Sequence, residues 1–130
     1  MSLIEKIRKA RQQNVTIDGH VYTVRRPTEM EALPCFIESI KGENQKQKLF
    51  RIQKFLVSNF VDDWDVKETD LFPGGSPIKA EFDKDVLMEF LSDRQETFAA
   101  LANEILKIRQ DYLDSQAADE KKSETGLPQD

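Results

Sequence analysis

A short junction, FVDDWD at residues 60–65, divides the chain into two amphipathic halves. Apolar residues with helical spacing precede it, and an acidic stretch with a Gly/Pro break follows it before a second amphipathic run begins. The junction holds Trp64, the only tryptophan of the chain. A tryptophan beside carboxylates is commonly an anchor with one apolar and one hydrated side. Two interpretations stay open: Trp64 packs between two helical layers, or it is a hot spot of a partner surface.

The length and composition predict one domain with a modest core. A chain of 130 residues, 38% hydrophobic and 33% charged, suits one hydrophobic core under a heavily solvated surface. The first segment, MSLIEKIRKARQ, lacks the apolar stretch of a signal peptide, and no apolar run has transmembrane length. The single cysteine excludes an internal disulfide. We therefore expect one helical domain over residues 1–114 and no membrane partner.

The dipeptide Asp18-Gly19 predicts a β-hairpin over about residues 15–25. It separates two runs rich in β-branched and aromatic side chains, VTI and HVYTV. A two-residue type I′ turn needs positive φ at both positions, which Asp-Gly supplies readily. A lone hairpin is marginally stable in water, so we expect it to pack on helices or to pair with another strand. An unprotected edge would favour pairing with a second subunit.

Three helical patterns account for the rest of the first half. Leu3, Ile4 and Ile7 mark one face of a short helix. Thr28 and Glu31 form a capping box that starts a second helix, which ends near residue 41. A third helix is predicted over residues 43–60. The apolar stripes expected to be buried are Met30, Leu33, Phe36, Ile37 and Ile40 in the second helix, and Leu49, Ile52, Phe55, Leu56 and Phe60 in the third.

The third helix has more apolar surface than one buried stripe requires. Phe50 and Val57 lie beside the stripe and extend it toward a second face. A helix that is apolar on more than one side either lies in the middle of a bundle or contacts a partner. The sequence leaves both alternatives open.

The second half predicts a loop, two helices and a tail. PGGSP at residues 73–77 continues neither helix nor strand, so residues 65–81 predict a mobile loop. Helices follow from Asp83 and from the capping box of Ser92 and Gln95. The last helix has apolar residues spaced 3, 4, 3 and 4, as in a helix-packing seam: Phe98, Leu101, Ile105, Ile108 and Tyr112. Residues 115–130 predict a disordered polar tail. The expected fold class is mainly α, a small helical domain with one N-terminal β-hairpin.

The charged residues are unevenly distributed along the chain. Residues 1–26 carry six basic and two acidic side chains, and residues 41–57 carry five basic and one acidic. Residues 62–93 carry ten acidic and three basic side chains. These segments either pair within the chain or form faces of opposite sign, which favour head-to-tail self-association into a homo-oligomer. The net charge of −5 argues against general nucleic-acid binding.

The sequence contains no recognisable catalytic, cofactor or metal motif. One histidine and one cysteine cannot build the usual nucleophilic constellations, and CxxC, HExxH, GxGxxG and P-loop patterns do not occur. The acidic residues after the junction do not follow the calcium-loop template, which needs a central glycine and a closing glutamate. The sequence therefore predicts an interaction or assembly protein and not an enzyme, with no cofactor, no catalytic residue and no metal ligand.

The order of the segments resembles the tail assembly chaperones of lambda-like long-tailed bacteriophages. The resemblance covers essentially the whole chain: a DG hairpin, a TEMEAL helix, the FVDDWD junction, an acidic Gly/Pro loop, an FDKDVLMEFL helix and a charged end. The residues that carry the resemblance are first Val61, Asp62, Asp63 and Trp64, and then Phe82, Leu87 and Leu91. The resemblance implies a non-enzymatic factor of the host cell cytoplasm that is not part of the mature virion.

The same resemblance implies the partners. Such chaperones coat the helical tape measure protein, keep it soluble and help the tail tube protein to polymerise around it, and many also occur in a longer, frameshifted form. The residues that we expect at a partner or self-association surface are Trp64, Phe50, Val57, Phe98, Leu101, Ile105, Ile108 and Tyr112. Two alternatives stay open: a small regulatory or adaptor domain, and a minor structural component of the virion.

Overall fold

The computed structural model describes residues 1–36 and 40–126, with the backbone alone for residues 121–126. Its helices are α1 (Leu3–Lys9), α2 (Glu29–Ala32), α3 (Gln45–Phe60), α4 (Glu68–Leu71), α5 (Lys84–Leu91) and α6 (Gln95–Gly126), with a 3₁₀ turn at Leu33–Phe36. Its strands are β1 (Gln12–Ile17), β2 (His20–Arg25) and β3 (Val61–Trp64). The chain is 59% helical, which confirms the mainly α fold with an N-terminal hairpin. Among the described residues, no helix has both the length and the apolarity to cross a membrane.

The hairpin is present with the predicted turn. Ile17 pairs with His20, and the two residues between them have positive φ, 51° at Asp18 and 80° at Gly19. Strand β2 also pairs antiparallel with β3, which gives a three-stranded sheet in the order β1-β2-β3. The hairpin therefore pairs with a third strand of its own chain, and β1 lies at the sheet edge.

Strand β3 was not predicted, since the sequence indicated no strand in the junction between the third helix and the loop. Its four residues include two aspartates, which disfavour strands. However, Val61 is 0% and Trp64 3% exposed, and both side chains enter the core beside β2. Burial and pairing with β2 thus outweigh local propensity.

The predicted helix over residues 28–41 forms only in part. The capping box is present: Glu31 N–H donates to Thr28 Oγ1 at 3.2 Å, and Thr28 N–H donates to Glu31 Oε1 at 3.0 Å. The α-helix ends at Ala32 and continues as a 3₁₀ turn that contains Pro34, whose ring conflicts with an α-helical turn before it.

The apolar stripe of that segment is exposed, contrary to the prediction of a buried face. The exposed fraction is 81% for Met30, 59% for Leu33, and 60% for both Phe36 and Ile40, and Ile37 lies outside the described residues. Leu49 on α3 is also exposed, at 56%. Helical spacing identified an apolar face in each case; that of the second helix is largely exposed, whereas that of α3 is buried at Leu56 and Phe60.

The core lies between the sheet and helices α3, α5 and α6. Its fully buried members include Tyr22, Val24, Leu56, Val57, Phe60, Val61, Leu87, Leu101 and Ile105. The predicted seam of the last helix is therefore confirmed at Leu101 and Ile105, which face the sheet and α3 from inside. Burial raises the pKa of the Tyr22 hydroxyl to about 12, so this group stays neutral at physiological pH.

The loop over residues 65–81 is closed at its base by hydrogen bonds. The N–H groups of Ala80, Glu68 and Thr69 donate to the carbonyls of Val66, Ile78 and Ser76. A Cβ atom at Gly75 would lie 2.6 Å from the carbonyl oxygen of Glu68, so the close approach of the two arms requires glycine there. The segment predicted as a mobile loop thus has a defined path in the structure.

Helix α6 extends past residue 114, the predicted end of the domain. Helix α6 continues to Gly126, so residues 115–126 are helical where a disordered tail was expected. The described side chains of residues 115–120 are all exposed, and helix-forming Ala, Gln and Glu side chains favour the helix without tertiary contacts. Residues 127–130 lie outside the described part of the chain.

Candidate functional site

Trp64 is a core residue. Its side chain is 3% exposed, and its indole Nε1–H donates to the carbonyl oxygen of Ala80 at 2.9 Å. The indole ring meets the rings of Phe82 and Phe90 edge to face, with centroids 5.6 Å and 5.7 Å away. These contacts satisfy the indole within the chain, so the packing interpretation is correct and the assignment of Trp64 to a partner surface is wrong.

Most of the other residues expected at a partner surface are also buried. Val57, Leu101 and Ile105 are fully buried, and Phe98 is 6% exposed. Ile108 is partly buried against the core. Only two of the eight are exposed, Phe50 at 55% and Tyr112 at 39%. The prediction of a partner surface was wrong for the buried residues, because their side chains pack inside the domain.

The carboxylates beside Trp64 hold β3 to its neighbours. Asp62 accepts from Arg25 Nη1 at 2.6 Å and from Gln12 Nε2 at 2.8 Å. Asp63 accepts from Lys79 Nζ at 2.8 Å. Burial raises the pKa of the Asp63 carboxyl, but hydrogen bonds from Lys79 and from the Trp64 N–H outweigh this and leave the pKa below its usual value. Part of the charge complementarity between the basic and acidic segments is therefore satisfied inside the chain.

An open apolar groove lies between α3 and α5, and we call it the α3–α5 groove. Its apolar lining is Phe50, Met88, Leu91 and Phe98, and its polar rim is Gln53, Lys54, Ser92 and Gln95. It has a volume of about 440 Å³. The rings of Phe50 and Phe98 lie 5.8 Å apart and form one wall. Because Phe50 is exposed, the groove presents a large apolar side chain to solvent.

The groove is built from well-capped helices. Asn44 and Gln47 form a reciprocal capping box that starts α3 six residues before Phe50. The Asp83 carboxylate accepts from the N–H of Asp85 at 2.8 Å and so starts α5. Caps of this kind fix where each helix begins.

A second groove lies between α4 and α5, and we call it the α4–α5 groove. Its volume is about 600 Å³. Its apolar lining is Leu71, Phe72, Val86 and Phe90, and its charged rim is Asp85, Glu89, Asp93 and Arg94. The Arg94 guanidinium covers the Phe90 ring at 4.1 Å and donates to the Phe90 carbonyl at 3.2 Å. The three carboxylates form no salt bridge with a described side chain.

Helix α1 adds a third exposed apolar surface. Leu3, Ile4 and Ile7 are 73%, 54% and 49% exposed. The sequence pattern revealed this stripe but did not indicate a binding surface there. Its signal was available: seven residues are too few to be stable as an isolated helix, so an apolar face there implies a surface to pack on.

The arrangement provides exposed apolar surfaces. Among the described residues, no group of three or more His, Cys, Asp or Glu side chains is placed to hold a metal ion. Burial raises the pKa of the Cys35 thiol, which disfavours the reactive thiolate. No protein-family model matches the chain, and comparison with curated proteins and with solved structures gives no significant match.

Proposed function

We propose that this protein is a non-enzymatic tail assembly chaperone of a long-tailed bacteriophage. It binds the helical tape measure protein in the host cytoplasm and promotes assembly of the tail tube protein around it. The proposal rests on the resemblance of the chain to this class of proteins and on one structural observation. That observation is the open α3–α5 groove, with Phe50 exposed at its wall.

The groove suits the apolar face of a client helix. Helix-in-groove recognition places side chains at i, i+3, i+4 and i+7 of the bound helix into an apolar depression. A volume of about 440 Å³ accepts two or three such side chains. Each large apolar side chain that becomes buried contributes about 1.5–3 kcal/mol. A few anchors therefore give useful affinity without a large interface.

The rim of the groove favours a client that is amphipathic. Gln53, Ser92 and Gln95 are uncharged hydrogen-bonding groups, and Lys54 supplies one positive charge. Polar residues at the edge of a bound helix can pair with them, while the apolar lining takes the other face. Coating the exposed apolar stripes of a long helical protein in this way keeps that protein soluble before the tube forms.

Binding of a recombinant helical fragment of the tape measure protein from the same phage tests the proposal. A single short fragment avoids gains from multivalency. Phe50→Asp should weaken binding at least about tenfold, because it places a carboxylate in the apolar wall. Phe72→Asp is the matched control: Phe72 is 49% exposed, close to the 55% of Phe50, but lines the other groove. Titration calorimetry measures both affinities.

Two outcomes would overturn the proposal. The first is a wild-type protein that does not bind the fragment, or one whose affinity is equally lowered by both substitutions. The second is the presence of the protein in purified phage particles at a fixed number of copies, which indicates a structural component of the virion. Quantitative mass spectrometry of particles measures that number.

A further inference from the structure

Helix α1 is amphipathic, and the described chain leaves its apolar face uncovered. Residues 1–10 are all exposed, and no residue of α1 is buried. An isolated helix of fewer than about 12 residues is marginal in water, because helix nucleation is costly. The Ser2 side chain caps α1 by accepting from the Glu5 N–H at 3.2 Å, but a single cap does not replace tertiary packing.

The charged residues of α1 frame its apolar stripe. At 3.6 residues per turn, Lys6 and Arg8 flank the stripe of Leu3, Ile4 and Ile7 on its two sides, whereas Lys9 lies on the opposite face. Neither Lys6 nor Arg8 forms a salt bridge with a described side chain. The helix therefore presents an apolar strip with a positive charge on each side.

The α4–α5 groove has the complementary arrangement. Its floor is apolar, and Asp85 and Glu89 lie one turn apart along α5, with Asp93 just beyond the end of that helix. Leu71 and Phe72 form the opposite wall, with Phe72 half exposed. The apolar floor of the groove and its row of carboxylates are thus complementary to the apolar strip of α1 and its basic side chains.

We propose that α1 of one copy docks into the α4–α5 groove of a second copy, so that copies join head to tail. Leu3, Ile4 and Ile7 lie against the apolar lining, and Lys6 or Arg8 faces the carboxylates of α5. The two contacting surfaces differ, so the contact is heterologous and continues into a ring or an open helical assembly. This inference concerns the chain alone and does not depend on the proposed client.

A second copy is the occupant because α1 is held away from the groove of its own chain. Arg11, which follows α1, forms a salt bridge with Glu31 at 3.1 Å and accepts from the Arg26 N–H through its carbonyl. This places α1 at the open end of the hairpin, where Gln12 pairs with Arg25. Phe90 of the groove instead meets His20 at the turn end, with ring centroids 5.8 Å apart.

Complementary single variants test the head-to-tail contact. Ile7→Asp disables the helix, and Phe72→Asp disables the groove; both positions are 49% exposed, so neither change enters the core. Each variant alone should sediment as a monomer at concentrations where the wild-type chain forms larger species. An equimolar mixture should form a 1:1 dimer and nothing larger, because only one intact helix and one intact groove remain. Sedimentation velocity up to about 1 mM covers weak association.

Controls separate this contact from others. Phe50→Asp, in the α3–α5 groove, should assemble like the wild type. A wild-type chain that is monomeric throughout would overturn the inference, as would a mixture that stays monomeric or a single variant that assembles normally. Binding of α1 to phosphatidylglycerol vesicles by a monomeric wild-type chain would assign the helix to a membrane surface instead and equally overturn it. Circular dichroism verifies that each variant is folded.

Discussion

Trp64 and its two neighbouring aspartates hold β3 in place through different contacts. The indole faces inward, where it contacts Phe82 and Phe90 and donates to Ala80. The carboxylates of Asp62 and Asp63 face outward, where they accept from Arg25 and Lys79. The aromatic beside acidic residues, which the sequence left open between core and interface, is thus a buried tryptophan whose neighbouring carboxylates pair within the chain.

The buried position of Trp64 leads to a stability prediction. Trp64→Ala should lower the free energy of unfolding by about 3–5 kcal/mol, because it leaves a cavity among aromatic side chains. Trp64→Phe should cost less, although the carbonyl of Ala80 loses its donor, a loss of about 1–3 kcal/mol. Denaturant unfolding measures both changes. Phe72→Ala, at an exposed position, is the control and should change stability by about 0.5 kcal/mol or less. Equal effects of Trp64→Ala and this control would contradict the core assignment.

At the scale of helices and strands, the elements with strong local signals were predicted well. The turn at Asp18-Gly19, the capping box of Thr28 and Glu31, and the Asp83 cap of α5 follow from turn and cap chemistry, which acts within a few residues. The Asn44–Gln47 capping box, which starts α3 two residues after the predicted start, was not identified in the sequence. Strand β3 was missed because it exists only through pairing with β2, forty residues earlier in the chain. Pairing at that distance leaves no local signature.

The candidate site was harder to predict than the elements. Helical spacing reveals an apolar face but not what covers it. The faces of α6 and of Val57 are covered by the same chain, whereas those of α1, Met30 and Phe50 are open. For this reason Leu101 and Ile105, which fitted both a packing seam and a partner surface in the sequence, are buried, whereas Phe50 and Tyr112 are exposed. Both grooves also combine residues from separate elements, which spacing along the sequence does not bring together.

The C-terminal part of α6 leads to a prediction at this scale. Removal of residues 115–130 should change the free energy of unfolding by about 0.5 kcal/mol or less, because the described side chains of residues 115–120 are exposed. The helical signal in circular dichroism should nevertheless fall. Ile105→Ala, at a fully buried position of the same helix, is the contrasting variant and should cost about 2–5 kcal/mol. A truncation as costly as Ile105→Ala would show that residues 115–130 pack on the domain.

On the scale of the whole molecule, helix α5 connects the two proposed binding surfaces. It contributes Met88 and Leu91 to one groove and Val86 and Phe90 to the other. In a head-to-tail assembly the α3–α5 grooves would repeat from copy to copy. A long helical client that engages several of them would gain from effective concentration, so weak single contacts would suffice. Such an assembly joins the two proposals physically, although each is tested separately.

Acid should destabilise the fold, because it neutralises carboxylates that form salt bridges between segments distant in the sequence. Glu31 pairs with Arg11, and Asp63 pairs with Lys79. Burial raises the pKa of Glu31, but hydrogen bonds from Thr28 and the charge of Arg11 outweigh this and leave the pKa below its usual 4.5. The pKa of Asp63 likewise lies below its usual 3.8. Folded carboxyls with lowered pKa values stabilise the fold above the unfolded pKa values, and this stabilisation is lost as pH falls through the folded ones.

The stabilisation that these two carboxylates give the wild-type chain should therefore be constant near neutral pH, and the stability should fall steadily below about pH 4.5. Glu31→Gln and Asp63→Asn should be less stable than the wild type at pH 7, and the difference should shrink as the pH approaches 3, because the wild-type carboxyls then become neutral as well. Urea unfolding at low protein concentration, at several pH values, measures this convergence. Asp119→Asn, at an exposed position without a described salt bridge, should keep the wild-type profile. Variant curves that run parallel to the wild type down to pH 3 would show that these two pairs do not cause the loss of stability in acid.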